Sequence, residues 1–210
     1  DGLLQGAAPV APVAIVYSRR TADHYGRYDP DDAYMHEFYG VCMALVREHI
    51  PHIVIPDADL EEGIPTHIKT LVLPNIACMS EKAAANLDRF VDQGGSLIAT
   101  HETGLHSELG VRRADFAFSS LGLRFRGLQD ADFQDWDGSG QHAYLHIAQP
   151  KHPLFAGFEG TAILPFKGPW VEFESIGGDV LCRLIPKSNA QPPEHGWRNR
   201  VSDTPMTTVG

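Results

Sequence analysis

Residues 94–104, Gly-Gly-Ser-Leu-Ile-Ala-Thr-His-Glu-Thr-Gly, constrain this chain more than any other stretch. The glycines stop whatever precedes them, and Leu97, Ile98, Ala99 and Thr100 then read as a buried strand. Beyond them a sharp turn carries Glu102. In α/β folds with hydrolytic chemistry, a turn of this kind presents a Ser or Cys nucleophile on a strained, exposed residue. A carboxylate cannot do a thiol's work on an amide, so the stretch separates the fold from its usual activity.

The first hundred residues alternate strand with helix. Val13-Ala14-Ile15-Val16-Tyr17-Ser18 is a short continuous apolar run, the mark of a strand buried on both faces. Tyr34, Phe38, Val41, Cys42, Leu45 and His49 then recur at helical spacing, with Asp31 or Asp32 as the expected N-cap and Pro51 beyond the end. His52-Ile53-Val54-Ile55 and Thr70-Leu71-Val72-Leu73 read as two more parallel strands, each followed by a proline. Ser80 caps a helix with Ala83, Ala84, Leu87, Phe90 and Val91 on one side, and Gly94-Gly95 close it. Such alternation predicts a parallel sheet covered by helices, with ligands gathered beyond the strands' carboxyl ends. Those ends carry Tyr17 and Ser18, Pro74 and Asn75, and His101, Glu102, Thr103 and Gly104, which are the expected pocket residues.

From about Leu128 the pattern changes to Gly, Pro and aromatic residues, with short alternating runs at 144–147, 170–173 and 180–185 that suggest antiparallel additions. The tail Gln191-Pro192-Pro193-Glu194 has turn chemistry. The expected organisation is a lead over 1–12, an α/β domain over 13–186, and an irregular tail over 187–210 that stops short of a further strand. A start without Met and a stop at Thr207-Thr208-Val209-Gly210 suggest a piece of a longer protein.

The net charge of −10 argues against a nucleic-acid partner, which needs a concentrated basic face. No apolar run approaches the ~20 residues that span a bilayer, and no signal peptide opens the chain, so the expectation is a soluble protein without a membrane partner, cytoplasmic rather than secreted. Cys42, Cys78 and Cys182 are far apart among apolar neighbours, so neither a disulfide nor a zinc site is expected. No metal and no cofactor are expected, because the histidines lack the helical spacing of zinc enzymes.

Glu102 has two readings. A carboxylate desolvated at a strand end is a candidate general base or nucleophile, with His101 beside it as a titrating helper. Alternatively it accepts hydrogen bonds from the turn or pairs with Arg112 or Arg113 and holds the elbow together. Neither the two opposed carboxylates of a glycosidase nor the Cys-His-acid set of an amidotransferase is assembled, so no catalytic residue is assigned beyond these candidates. The loop Asp23-His24-Tyr25-Gly26-Arg27-Tyr28-Asp29 mixes aromatic rings with both charge signs; Tyr25, Arg27 and Tyr28 are candidates for sugar or interface contact. Trp136, Trp170 and Trp197 lie in the irregular half, with Trp170 expected in the core.

The run from Leu71-Val72-Leu73-Pro74-Asn75 through Ser80, Phe90-Val91, residues 94–100, Glu102-Thr103 and Arg112-Arg113-Ala114-Asp115-Phe116 to Leu121-Gly122 resembles the β-galactosidase trimerisation domain, the middle module of family 42 glycoside hydrolases. The likeness covers roughly residues 13–125, with His152-Pro153-Leu154-Phe155 and the 192–194 segment as weaker outliers. The resemblance implies a flavodoxin-like fold of the class I glutamine amidotransferase type, in which Glu102 takes the place of the amidotransferase cysteine. It also implies a non-catalytic role: self-association as a trimer or other homo-oligomer, beside a TIM-barrel domain of the parent chain that carries the catalytic carboxylates. His101 stands where an aromatic residue is usual. Two rivals remain open, a small hydrolase using Glu102 and a carbohydrate-binding module.

Overall fold

The computed structural model describes residues 10–129, 143–166 and 169–185 and the strand Thr207–Val209. Trp136, Trp197 and the 191–194 segment lie outside the described residues. The chain forms two compact units, Asp1–Leu121 and Gly122–Gly210.

The first unit holds a four-stranded parallel sheet made of β1 (Val13–Tyr17), β2 (His52–Pro56), β3 (Thr70–Leu73) and β4 (Ser96–Ala99), in the order β2-β1-β3-β4. The inner strands β1 and β3 are paired on both sides, and Ala14, Ile15, Val16, Leu71 and Leu73 lose all contact with solvent. That is why both read as unbroken apolar runs. Tyr34 and Phe38 pack from one side, with the Phe38 ring edge-on to Tyr17 at 5.4 Å. Ala83, Ala84, Leu87 and Phe90 complete the same core. The α/β architecture expected from the alternation is the one the chain has, with antiparallel strands in its second half.

The helix α3 (Glu81–Asp92) begins and ends as its sequence dictates. The Ser80 hydroxyl accepts from the Ala83 N–H at 3.2 Å, satisfying one of the orphan donors of the first turn. Gly94 takes the left-handed φ of 90° that closes the helix. Gly95 is required for another reason: a Cβ there would lie 2.4 Å from the Phe90 ring.

The start of α1 (His36–Arg47) corrects the expected cap. Neither Asp31 nor Asp32 caps it, because a π-helical turn over Asp31–Met35 runs directly into the helix. The wider turn moves the cap upstream, where the Asp29 carboxylate accepts from the Asp32 N–H at 3.2 Å. Asp32 itself pairs with His36 at 3.0 Å. His49, expected on the helical face, instead leaves the helix in a left-handed conformation with φ 53°. The short α2 (Asp59–Glu62) follows β2.

The strand β4 also differs from expectation. Among the described residues it is the outer strand of the sheet, paired with β3 alone, and Ile98 is 53% exposed. The run Leu97 to Thr100 looked fully buried because local apolarity cannot tell an inner strand from an edge strand.

The second unit is antiparallel. Strands β6 (Ala143–Ile147), β7 (Ile163–Phe166), β9 (Cys182–Ile185) and β10 (Thr207–Val209) form one sheet in the order β10-β9-β6-β7. Strands β5 (Leu123–Gln129) and β8 (Trp170–Ser175) form a two-stranded ribbon with a register shift between Phe125 and Gly127. Leu184 is fully buried, with Leu145, Phe166 and Trp170 packed on it.

Candidate functional site

The carboxyl ends of the parallel strands are knit together by polar side chains. At the end of β1, the Ser18 hydroxyl donates to the Asp57 carboxylate at 2.7 Å and accepts from the Thr21 N–H at 3.0 Å. The Tyr34 hydroxyl accepts from the Ser18 N–H at 2.7 Å; burial pushes its pKa well above the usual phenol range. Thr21 is fully buried, and its hydroxyl accepts from the Cys78 N–H at 3.1 Å. Thus loops after three different strands are tied across the sheet's end.

Asn75, past β3, does the same for β4. It adopts φ 46°, a left-handed conformation that Asn tolerates better than most side chains. Its Nδ2 donates to the Ala33 carbonyl at 2.9 Å, its Oδ1 accepts from the Glu102 N–H at 3.3 Å, and its N–H donates to the Thr100 hydroxyl at 3.0 Å. Thr103 adds two more ties, with its hydroxyl donating to the Leu73 or Thr100 carbonyl and accepting from the Ile76 N–H. Gly104 has φ 78°, and a Cβ there would meet the Phe118 ring at 2.9 Å.

Glu102 sits inside this web with only 2% of its surface exposed. The Tyr25 hydroxyl donates to Oε1 at 2.8 Å, and Arg112 Nη1 donates to Oε2 at 2.7 Å. Both carboxylate oxygens are therefore engaged. Tyr25 reaches Glu102 from a π-helical turn over Thr21–Tyr25, and its pKa is pushed far up, first by burial and then by the carboxylate it serves. The His106 ring stands edge-on to Tyr25 at 5.2 Å. Burial holds its pKa below the usual imidazole range; the Glu102 charge opposes that shift and Arg112 reinforces it.

The left-handed residue of the elbow is His101, with φ 48°, one position before Glu102. The strain that an elbow concentrates on its nucleophile thus falls on an imidazole, while the carboxylate turns inward. The His101 ring nitrogens are buried without a hydrogen-bond partner among the described residues. Arg113 takes a separate course, with Nη1 paired to Glu81 and Nη2 donating to the Met79 carbonyl at 2.9 Å. The loop after β1 divides as well. Tyr25 points in, whereas Tyr28 is 93% exposed with the Arg27 guanidinium 5.6 Å over its ring. Pro74 is buried beside Asn75, and Tyr17 is half-buried against Tyr34 and Phe38.

Tyr25 and Asp57 were the contributors that sequence reasoning placed elsewhere or missed. Asp57 lies two residues after Ile55 in an acidic stretch, and nothing local distinguishes it from Asp59. Cys42, Cys78 and Cys182 are free thiols, and burial raises the Cys78 pKa to about 11. No helix among the described residues is long and apolar enough to cross a membrane.

No protein-family model and no curated protein matches the chain. Solved structures do. The chain is similar to the β-galactosidase of Bacillus circulans sp. alkalophilus, with TM-score 0.65 and 15% identity over 87% of this chain and 26% of that one. It is similar to Gan42B, a GH42 β-galactosidase, with TM-score 0.63 and 18% identity over 84% of this chain and 24% of that one. A protein described as ThuA-like from Bacteroides uniformis ATCC 8492 gives TM-score 0.54 and 13% identity over 85% of this chain and 69% of that one. What is shared at these identities is the fold. The chain spans about a quarter of the length of the β-galactosidases it matches.

Proposed function

We propose that this chain is a non-catalytic accessory domain of a β-galactosidase-like glycoside hydrolase, flavodoxin-like and related in shape to class I glutamine amidotransferases. Its role is architectural: it associates with further copies of itself, as a trimer or other homo-oligomer, and shapes the mouth of a sugar site carried by a neighbouring TIM barrel in the parent chain. The strand order β2-β1-β3-β4 agrees with the flavodoxin-like pattern. The quarter-length match to GH42 enzymes suits a module of a larger chain.

One observation carries the reading against the small-hydrolase rival: both oxygens of the Glu102 carboxylate are committed to Tyr25 and Arg112 in a site 2% exposed. A general base or nucleophile needs a free oxygen within reach of substrate. Here the acid fastens the turn after β4 to the turn after β1. Measuring thermal stability and galactoside hydrolysis side by side in wild type and Glu102→Gln tests this. The expected outcome is a clear fall in melting temperature with no turnover to lose; a Gln variant that melts normally but loses a measurable hydrolysis overturns it.

The carbohydrate-binding reading draws on Tyr28, whose exposed ring with Arg27 stacked on it resembles a sugar platform. Titration with galactosides, comparing wild type with Tyr28→Ala, separates it from the architectural role.

A further inference from the structure

The segment after β1 is anchored at both ends and pinned in the middle by Tyr25. At its start the Ala22 N–H donates to the Ser18 carbonyl at 3.2 Å, and the Thr21 hydroxyl accepts from the Cys78 N–H. At its end the Ala33 N–H donates to the Asp29 carbonyl at 3.1 Å, while Asn75 Nδ2 holds the Ala33 carbonyl. Between these anchors Asp23, His24, Arg27 and Tyr28 lie in solvent. The Tyr25 hydroxyl reaches Glu102, with Asn75 and Glu37 also facing it. His24 packs on Gly110, where any Cβ would stand 2.9 Å from its own. The backbone at Tyr25 is a π-helical turn, a rare form concentrated at functional sites, closed by the Gly26 N–H donating to the Thr21 carbonyl at 2.8 Å.

Beneath Tyr25 lies an imidazole that makes no use of its polarity. His106 is 8% exposed, and its Nδ1 is buried without a hydrogen-bond partner among the described residues. Its backbone is bridged to Cys78 on one side and to Arg112 on the other. The charges facing it are Glu102 and Arg112, which already pair with each other at 2.7 Å. With His106 neutral the cluster is balanced, one carboxylate against one guanidinium. A proton on the ring adds a positive charge in a place closed to water.

We propose that residues 22–28 form an acid-released lid over Glu102: a proton on His106 frees Tyr25 from the carboxylate, and the turn lifts between its two anchors. An imidazolium is relieved when water reaches it, and of its covers Tyr25 has the thinnest support. Cys78 and Leu105, at 1% and 0% exposure, belong to the knitted strand ends, whereas Tyr25 stands on a turn exposed along most of its length. Burial first, and then Arg112, hold the closed-state pKa of His106 below its ordinary value of 6.5, so the open state binds the proton more readily. Opening therefore grows as pH falls through that value, by at most ~25-fold between pH 7 and pH 5. The lid keeps Glu102 Oε1 occupied near neutrality and releases it in acid, at the end of the sheet where ligands gather in such folds. It goes beyond the architectural role and does not depend on self-association.

Hydrogen exchange on the 210-residue chain, read as protection factors between pH 7 and pH 5, tests the lid. Protection of the Gly26 amide should fall at least ~3-fold in wild type, levelling off where the His106 ring, followed by NMR, takes its proton in the native state. The amides of Leu71 and Leu73 in β3 should not respond. In His106→Phe, which keeps a ring against Tyr25 but holds no proton, the Gly26 response should vanish. Tyr25→Phe should lower Gly26 protection already at pH 7. Constant Gly26 protection overturns the proposal, and so does a fall shared equally by Leu71 and Leu73, which is global unfolding. A response that survives in His106→Phe overturns it as well, passing the role to His101, whose ring nitrogens are also buried without a partner among the described residues, or to the exposed His24. Should His106→Phe fail to fold, the wild-type curve decides: a plateau unrelated to the His106 titration overturns the lid.

Discussion

The helices α1 and α3 are each 12 residues long and each buries one side in the same core, yet their outer sides differ in how much apolar surface they show. α3 shows water Glu81, Lys82, Arg89 and Asp92, is capped by Ser80, and closes on Gly94. α1 shows water Tyr39, Met43 and Val46, and no side chain caps its first residue. Both helices solve the problem of covering a sheet, but only α3 is finished for solvent. The difference teaches that burial within one chain does not explain every apolar residue.

The sharpest way to break this comparison is to shorten a side chain on each helix's working side. Leu87→Ala removes a fully buried side chain of α3 and should cost about 3 to 4 kcal/mol in urea unfolding; a loss below about 1 kcal/mol would mean that α3 packs loosely. Next in size, Glu102→Ala removes the acceptor that the Tyr25 hydroxyl and Arg112 Nη1 share, for an expected loss of about 2 kcal/mol. The figure is held below that of a fully buried pair because the Arg112 side chain is 39% exposed. Ser80→Ala should cost about 1 kcal/mol through the lost cap, with no counterpart at Met35 preceding α1.

Smaller still is a pH effect at the Glu102 cluster. The folded-state pKa of His106 lies below its ordinary value of 6.5, so the unfolded chain binds the proton more readily. This contribution is fully present above that ordinary value and is lost as pH falls through and below it. A His106→Phe variant should therefore show a flatter fall in melting temperature between about pH 7 and pH 5 than wild type; parallel curves would remove His106 from the account. The least effect is expected on the outer side of α1, where Val46→Ser should stay within about 0.5 kcal/mol in dilute solution. A loss comparable to Leu87→Ala would show that the stripe is internal packing.

Much of the first unit is legible because its rules are local. Ser80, Gly94 and the apolar positions of α3 lie within one helix length of one another, and the runs of β1 and β3 need only their own composition. The candidate site was legible as a set of strand ends and no further. Tyr25 and Glu102 are 77 residues apart, so no spacing rule joins them. Arg112 and Arg113 are adjacent and chemically identical, yet one reaches Glu102 and the other Glu81, because neighbouring side chains leave an extended backbone in opposite directions. The left-handed position fell on His101 and not on Glu102, a matter of one residue that backbone sterics settle only when the turn is built.

The amino-acid sequence by itself determined an α/β chain with a parallel sheet, two covering helices and an acid in the turn after the fourth strand, since periodicity, caps and breakers act over a few residues. The tertiary structure alone decided which strands became edges, which arginine met the carboxylate and which tyrosine turned inward. Those choices depend on distances between segments that only a closed core brings together.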